Sequence, residues 1–347
     1  MKKKSLMKSL TALVLSVLMV LSLAACGAKP SDGGKNGDKD GYTVAIIKQM
    51  DHASLDEIAD AIAARLDAIA QEQNVSIHYT ITSGQGDQSV LKQLADQAVA
   101  DQVDAIIPIA TTAAQVSAVA AEDSRTPVVY AAISDPDTAK LTGIDYVTGT
   151  SDALNTEYIL DMMLAQDPGV SKVGLLYSLS EPNSTKPIAE AKAYLDAKGI
   201  AYVEKTGNTN DEIMTAASSM VGQVDAVFTP TDNVVMAAAA AVSETLTKGG
   251  IPFYTGADSF VTAGAFATCG VNYTDLGAET ADLAYQAMTG GMDGLEDYYQ
   301  VAGGLITVNS ETAAALGFEG DKLDALKEAF KPYCTEIVEV TTAEDFS

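Results

Sequence analysis

Short apolar runs alternate with amphipathic stretches along most of the chain. Residues 43–47 and 105–109 form compact apolar runs, and residues 54–70 between them place Ile58 and Ile62 at helical spacing. Continuous apolar strands are typical of parallel sheets whose two faces are both covered by helices. The regular alternation of such strands with helices therefore predicts an α/β fold with doubly wound parallel sheets.

The same order of elements occurs twice in the chain. Residues 103–109 and 224–230 each run from Val-Asp-Ala into an apolar strand, followed by an Ala-rich helix and a second short strand. Ser134-Asp135 follows that second strand in the first copy, and Asp258-Ser259 follows it in the second copy. A repeat of this length is a repeat of supersecondary units. It predicts two Rossmann-like lobes that face each other across a cleft, and such clefts bind ligands.

The first residues have the pattern of an export signal. Several lysines precede an apolar run over residues 10–25, which is shorter than the roughly 20 residues that a membrane-spanning helix needs. The run ends in Leu-Ala-Ala-Cys at residues 23–26, which resembles the lipobox of bacterial lipoproteins and makes Cys26 the predicted lipidation site. The alternative is an ordinary secreted protein whose cleavage site precedes a Cys.

Changes in composition set the predicted boundaries between the parts of the chain. Residues 29–40 are rich in Gly, Asp and Lys, which is typical of a flexible tether. Residues 143–152 interrupt the alternation of strands and helices and predict a first crossing between the lobes. The expected parts are a signal peptide (1–25), a lipidated Cys with a flexible tether (26–41), lobe 1 (42–147 plus 260–295), lobe 2 (148–259 plus 296–319) and an acidic C-terminal appendix (320–347).

Charge and the rarer residue types narrow the partners and the chemistry. The net charge of −26 disfavours nucleic acids and anionic lipid surfaces as partners. Besides Cys26 the chain has Cys269 and Cys334, which we expect to be free, and its two histidines are His52 and His78. Neither CxxC nor HExxH occurs, so we expect no metal site and no cofactor.

The loops at the carboxyl ends of the strands carry the candidate ligand-binding residues, because ligands of parallel sheets bind there. Thr111 and Thr112 start a helix directly after a strand, and the free N–H groups of such a helix end suit a carboxylate, although a Thr could also simply cap the helix. Asp232 follows the equivalent strand of the second copy and could receive an ammonium group, or cap its own helix. Donors on one lobe and carboxylates on the other would hold a zwitterion such as an α-amino acid. The predicted ligand-binding residues are Gln49, Asp51, Gln85, Asp87, Thr111, Thr112, Ala113, Asp135, Asn183, Ser184, Thr231, Asp232, Asn233 and Asp258.

Two further residues of the first loop have local roles in this interpretation. His52 has no nucleophile or metal-ligand pattern beside it, so we expect it to order its neighbours and to have no part in catalysis. Ser54, with Glu57 three residues later, predicts a capping box at the start of the following helix.

Taken together, several loop segments resemble one family. They are Asp51-His52-Ala53-Ser54-Leu55-Asp56, Gly84-Gln85-Gly86-Asp87-Gln88-Ser89, Ala110-Thr111-Thr112-Ala113-Ala114-Gln115, Ser134-Asp135-Pro136, Asn183-Ser184, Val224-Asp225-Ala226, Pro230-Thr231-Asp232-Asn233 and Asp275-Leu276-Gly277. Over about residues 43–318 the chain resembles bacterial ABC-transporter substrate-binding lipoproteins of the type I periplasmic-binding fold, in particular the TrpX-like family associated with aromatic amino acids. The resemblance implies two lobes joined by three crossings, with Thr112 and Ala113 on the ligand carboxylate and Asp232 with its neighbours on the amine. It also implies a monomeric, extracytoplasmic, lipid-anchored protein whose partners are ABC permease subunits.

One departure from the family pattern bears on the ligand, and three functions compete. Lys48-Gln49 stand where the family often has Gln followed by an aromatic or aliphatic residue, which predicts a more polar end of the pocket. The leading hypothesis is a binding protein that captures a small amino acid, aromatic by resemblance. The alternatives are a nucleoside- or sugar-binding lipoprotein of the same fold and a cofactor-independent amino-acid racemase. A racemase of that kind needs a Cys from each lobe, and Cys269 has no counterpart in the first lobe, so we expect no enzyme.

Overall fold

A computed structural model describes residues 41–343 as two α/β lobes, each built on one mostly parallel sheet. The strands are β1 (Gly41–Lys48), β2 (Ser76–Ser83), β3 (Ala105–Ile109), β4 (Val128–Tyr130), β5 (Val147–Ser151), β6 (Lys172–Tyr177), β7 (Ala201–Thr206), β8 (Ala226–Phe228), β9 (Phe253–Thr255), β10 (Ala267–Val271), β11 (Tyr299–Gln300), β12 (Gly303–Asn309) and β13 (Glu336–Val340). The helices are α1 (Ala53–Gln73), α2 (Gln88–Ala100), α3 (Thr111–Ala120), α4 (Thr156–Gln166), α5 (Thr185–Lys198), α6 (Asn210–Met220), α7 (Asn233–Ala237), α8 (Ala239–Lys248), α9 (Asp258–Thr262), α10 (Tyr273–Gly290), α11 (Ser310–Ala315) and α12 (Asp321–Phe330). The α/β fold class predicted from the alternation of strands and helices is confirmed.

Each lobe has one sheet, and the chain passes between the lobes three times. The sheet of lobe 1 has the order β11-β5-β4-β3-β1-β2, with all neighbouring strands parallel. The sheet of lobe 2 has the order β13-β12-β10-β9-β8-β6-β7, in which only the β10–β12 pair is antiparallel. The crossings lie at residues 152–155, at Asn272 and at residues 301–302, in agreement with the three crossings that the resemblance implied.

The helix that leads from the cleft into lobe 1 shows how the sequence pattern sets the packing. The buried side of α1 carries Ile58, Ile62 and Leu66 at helical spacing, as the periodicity predicted. This face packs along α10, where a Cβ added at Gly277 would lie 2.6 Å from the Ala61 Cβ and 2.8 Å from the Ile58 carbonyl oxygen. A glycine is therefore required at position 277 for the two helices to approach this closely.

The boundaries between the lobes differ from those expected from the sequence. Residues 148–151 (in β5) and 299–300 (β11) belong to the sheet of lobe 1, whereas they were expected in lobe 2. Residues 260–271 belong to lobe 2, whereas they were expected in lobe 1, because β10 continues the sheet beside β9 and the chain crosses only after it. Gly143 lies in a bend before β5 and Gly149 lies within β5, so neither glycine marks the crossing itself.

The C-terminal residues are part of lobe 2, which corrects their description as an appendix. β13 lies parallel to β12 from Leu305–Glu336 to Asn309–Val340 and forms the edge of the seven-stranded sheet. Phe330 of α12 is completely buried in the core of this lobe. The acidic side chains of this segment lie on its outer face, and its few apolar side chains face the core.

Three remaining expectations concern the chain ends and the cysteines. The predicted signal peptide, tether and Cys26 lie among residues 1–40, outside the described residues, as do residues 344–347. Between residues 41 and 343, no helix combines the length and the apolar composition that crossing a bilayer requires. Cys269 and Cys334 are both free thiols, as expected.

Candidate functional site

Side chains from the two lobes contact each other directly across the cleft. The pairs, named with the lobe 1 residue first, are Gln49 Nε2–Glu181 Oε1 (2.9 Å), His52 Nε2–Asn233 Oδ1 (3.0 Å), Ser54 Oγ–Ser259 Oγ (2.6 Å), Ser134 Oγ–Thr231 Oγ1 (3.3 Å) and Asp135 Oδ2–Lys186 Nζ (3.8 Å). An apolar cluster also continues from lobe 1 into lobe 2. The lobes are therefore in a closed arrangement.

These contacts surround a small cavity between the lobes. It is lined by His52, Ser54, Leu55, Ala110, Ala132, Asp152, Asn183, Thr231, Asp232, Asn233, Met236, Phe260 and Tyr273. The lining combines carboxylates and amides with apolar side chains, and it contains neither Lys nor Arg. A space of this kind between two lobes is the usual form of a small-molecule site.

Asp152 is the cavity residue at the first crossing between the lobes. Its side chain is buried, and its carboxylate accepts hydrogen bonds from Ser134 Oγ (2.9 Å) and Tyr273 Oη (3.1 Å). Burial raises the pKa of Asp152 above its ordinary value, while these two hydrogen bonds oppose the rise. Two neutral donors leave further lone pairs of this carboxylate free to accept.

Asp232 also lines the cavity, but most of its hydrogen bonds serve its own lobe. One oxygen accepts from the Ser178 backbone N–H (2.7 Å) and Ser184 Oγ (2.7 Å), and the other accepts from the Val235 N–H (3.0 Å). The last bond is an N-cap of α7, which is the helix-capping alternative considered from the sequence. Burial raises the pKa of Asp232, and its three donors oppose that shift.

A chain of hydrogen bonds runs from α3 across the cleft and back. The Thr112 N–H donates to Gln49 Oε1 (3.0 Å), and Gln49 Nε2 donates to Glu181 Oε1 (2.9 Å) in the other lobe. Asn233 Nδ2 donates to the second oxygen of Glu181 (2.5 Å), and Asn233 Oδ1 contacts His52 Nε2 (3.0 Å). We call these five residues the relay.

Burial shifts the ionisation of several groups around the cleft. It raises the pKa of Glu181 to about 8, helped by the nearby charge of Asp232. It lowers the pKa of His52 to about 4, so this imidazole is neutral at physiological pH. Asp258 has a pKa raised to about 7 by burial and by the charge of Glu57. Among the ion pairs of residues 41–343, none joins Asp152, Glu181 or Asp232 to a Lys or Arg.

The predicted ligand-binding residues occupy three different positions relative to the cavity. Asn183, Thr231, Asp232 and Asn233 line it. Directly behind the wall or at its rim lie Gln49, Thr111, Thr112, Ala113, Asp135, Ser184 and Asp258. The Thr112 N–H is already bonded to Gln49, so a ligand carboxylate could reach it only if Gln49 moved.

Three predicted residues have structural contacts away from the cavity. Asp51 is exposed and forms an ion pair with Lys48 (2.7 Å). Gln85 is exposed, and Asp87 caps α2 by accepting from the Ser89 N–H (2.7 Å). Neither Lys48 nor Gln49 lines the cavity, so the departure from the family pattern does not make its lining more polar.

Sequence reasoning missed nine of the lining residues as ligand contacts. They are His52, Ser54, Leu55, Ala110, Ala132, Asp152, Met236, Phe260 and Tyr273. The capping box predicted for Ser54 is wrong, since His52 occupies the N-cap position and Ser54 Oγ bonds Ser259 in the other lobe. The available signal for Asp152 was its place in the segment predicted to cross between the lobes.

The backbone at two of these missed positions has an unusual conformation. Ala110 has φ 76° and ψ 163°, and Ala132 has φ 59°, although both carry a Cβ. Both follow the carboxyl ends of neighbouring strands of lobe 1 and face the cavity. Such conformations cost about 1–3 kcal/mol each and concentrate at ligand sites.

Comparison with known proteins places these features in context. A family model for ABC transporter substrate binding proteins matches residues 43–328. A tyrosine-binding protein of Clostridioides difficile is 28% identical over 330 residues, which cover 92% of this chain and 95% of that protein.

Two solved structures allow the arrangement of the lobes to be compared. An ABC domain from Streptococcus pneumoniae in complex with L-Trp is 28% identical, with a TM-score of 0.74 over 86% of this chain and 100% of that one. The ligand-free, open structure of a substrate binding protein with adhesive properties from Clostridium difficile is 27% identical. Its TM-score is 0.63, over 87% of this chain and 100% of that one. At nearly equal identity the chain is more similar to the complexed structure, which agrees with the contacts across the cleft.

Proposed function

Because this chain belongs to the family of ABC transporter substrate-binding proteins, we propose that it captures an amino acid between its lobes and delivers it to the membrane subunits of an importer. The proposal combines the family with the chemistry of the interlobe cavity. The ligand binds as a zwitterion, and closure of the lobes removes it from water. The buried polar groups of the ligand and of the cavity must then form hydrogen bonds with each other.

The observation that carries this proposal is the charge of the cavity. Asp152 and Asp232 line it, Glu181 lies directly behind it, and the lining contains neither Lys nor Arg. A buried carboxylate without a cation is costly, and a ligand ammonium group supplies the missing positive charge. We propose that Asp152 accepts this group directly, because two protein donors bind it, whereas three bind Asp232.

The apolar part of the lining favours a large apolar or aromatic ligand side chain. Leu55, Met236 and Phe260 come from three different helices and surround the same space. Phe and Met side chains make favourable contacts with aromatic rings. The names of the two relatives point the same way, since one is a tyrosine-binding protein and the other was solved with L-Trp.

The same proposal covers location and partners. The N-terminal pattern supports export of the protein and attachment of a lipid at Cys26, which would hold a monomeric binding protein outside the cell membrane next to its ABC permease. We propose no catalytic role for the cavity. Incubation with either enantiomer of a bound amino acid, followed by chiral chromatography, should return the ligand unchanged.

A thermal-shift screen of the purified protein tests the function. Amino acids, sugars and nucleosides are compared at equal concentration, and a ligand that binds only the folded state raises the unfolding temperature. We expect the largest shifts for aromatic L-amino acids and none for sugars or nucleosides. A shift confined to a sugar or a nucleoside would contradict the proposal.

A further inference from the structure

Two acceptor atoms of the cavity wall lack a partner inside the protein. In residues 41–343, His52 Nδ1 and Asn183 Oδ1 are buried and form no hydrogen bond, although both residues line the cavity. The rest of each side chain is engaged, because His52 Nε2 contacts Asn233 Oδ1 and Asn183 Nδ2 donates to the Thr231 carbonyl (2.5 Å). A buried polar group without a partner is costly, so these atoms indicate where a ligand bonds.

The relay fixes which nitrogen of His52 carries the proton. The Thr112 N–H can only donate, so Gln49 presents its oxygen to α3 and its Nε2 to Glu181. The ammonium group of a bound ligand favours the ionised form of Glu181, which can only accept, so in the complex Asn233 presents Nδ2 to it and Oδ1 to His52. His52 must therefore donate from Nε2, which leaves the lone pair of Nδ1 facing the cavity.

We infer that His52 Nδ1 and Asn183 Oδ1 are specificity-determining acceptors for the ammonium group of the ligand, and that Glu181 is a positioning residue that fixes the tautomer of His52 through Asn233. This inference rests on the proposed amino-acid function. An ammonium group has three N–H donors, which match these two acceptors and the carboxylate of Asp152. The positive charge of the ligand also favours the ionised form of Glu181, on which the direction of the relay depends.

A charge-neutral swap of two relay residues tests this role. In Glu181→Gln the new amide donates to Asn233, so Asn233 must turn its oxygen towards residue 181 and its Nδ2 towards His52. His52 then accepts at Nε2 and carries its proton on Nδ1, which places a donor against the ligand ammonium group. Adding Asn233→Asp places a carboxylate between residue 181 and His52, and this carboxylate accepts from both. His52 then donates from Nε2 again, and the net charge equals that of the wild type.

Nitrogen NMR of protein labelled with 15N-histidine reads the tautomer directly in the presence of saturating L-tyrosine or L-tryptophan. The chain has two histidines, so His78→Gln assigns the signals. We expect the Nε2–H form in the wild type and in the double variant, and the Nδ1–H form in Glu181→Gln. The exposed variant Glu244→Gln, which loses only a surface ion pair with Lys248, should behave as the wild type.

Calorimetry with the same two amino acids gives the second readout. Loss of a hydrogen bond to a charged group should weaken binding about 10- to 100-fold in Glu181→Gln and in His52→Leu, and the double variant should recover most of the loss. Their des-amino analogues should bind the wild type and His52→Leu equally.

The inference is overturned if Glu181→Gln keeps the Nε2–H form, if the double variant fails to recover, or if His52→Leu binds as the wild type. Failure of the wild type to bind any amino acid would instead overturn the proposed function, and this inference with it.

Discussion

Replacing Asp152 by Asn should weaken ligand binding without destabilising the ligand-free protein. Asn has the same shape and keeps an oxygen that can accept from Ser134, while Tyr273 can turn its hydroxyl to accept from the new amide. All three residues belong to lobe 1 or to its crossing, so the contacts persist when the lobes open. The substitution removes the negative charge of the carboxylate, which we propose as the partner of the ligand ammonium group.

The expected loss follows from the burial of this carboxylate. Removing one partner of a buried, hydrogen-bonded charge pair costs about 2–5 kcal/mol. At about 1.4 kcal/mol per factor of ten, the dissociation constant for L-tyrosine or L-tryptophan rises at least about 30-fold. The ligand-free protein should not lose stability, because burial penalises the charged form of Asp152 and raises its pKa.

Calorimetric titration and thermal unfolding of the same samples test both halves of this prediction. Asp211→Asn is the matched control, since Asp211 is exposed in the first turn of α6 and remote from the lining residues. It should bind as the wild type. The reasoning is refuted if Asp152→Asn binds within threefold of the wild type, or if its ligand-free unfolding temperature falls together with its affinity.

Further predictions concern closure, backbone strain and the tail. Burial in the closed arrangement raises the pKa of Glu181 from its ordinary 4.5 to about 8, so its contribution to ligand-free closure is present below pH 4.5 and is lost as pH rises through 8. The radius of gyration from small-angle scattering should increase over this range in the wild type, and an identical increase in Glu181→Gln would contradict the assignment. Ala110→Gly relieves a positive φ and should raise the free energy of unfolding in urea by about 1 kcal/mol, whereas Ala64→Gly on the exposed side of α1 should lower it by about the same amount. Phe330→Ala should destabilise lobe 2 by about 3–5 kcal/mol in the same assay while the exposed Glu328→Ala changes little, and equal values would contradict a packed tail.

The fold was predictable because its signals are local or repeated. Buried parallel strands such as β3 are continuous apolar runs, and the repeat of residues 103–109 at 224–230 indicated two lobes. The exchange of strands between the lobes was not predictable, because β5 (VTGTS) and β10 (ATCGV) are both short, completely buried strands whose sequences do not favour one sheet over the other. Only the crossing geometry decides which sheet accepts them.

The candidate site was predictable where a loop follows a repeated strand end. Thr231 and Asp232 were found in this way, and they line the cavity. Asp87 has the same local pattern and caps α2 as Asp232 caps α7, but Asp87 is exposed and does not line the cavity.

The contacts that close the cleft depend on pairs that are far apart in the sequence. Gln49 meets Glu181 and His52 meets Asn233 across more than a hundred intervening residues. Ala110 carries no chemical signal at all, since its contribution is a backbone conformation. Such features follow from the tertiary arrangement of two lobes, which a single sequence does not specify locally.

A crystal structure of the protein with L-tyrosine or L-tryptophan bound is the most direct test. We expect the ligand between the closed lobes, with its amine nitrogen at about 2.7–3.2 Å from an oxygen of Asp152 and its side chain against Phe260 and Met236. A ligand outside this cavity, or one whose carboxylate faces Asp152, would contradict the account.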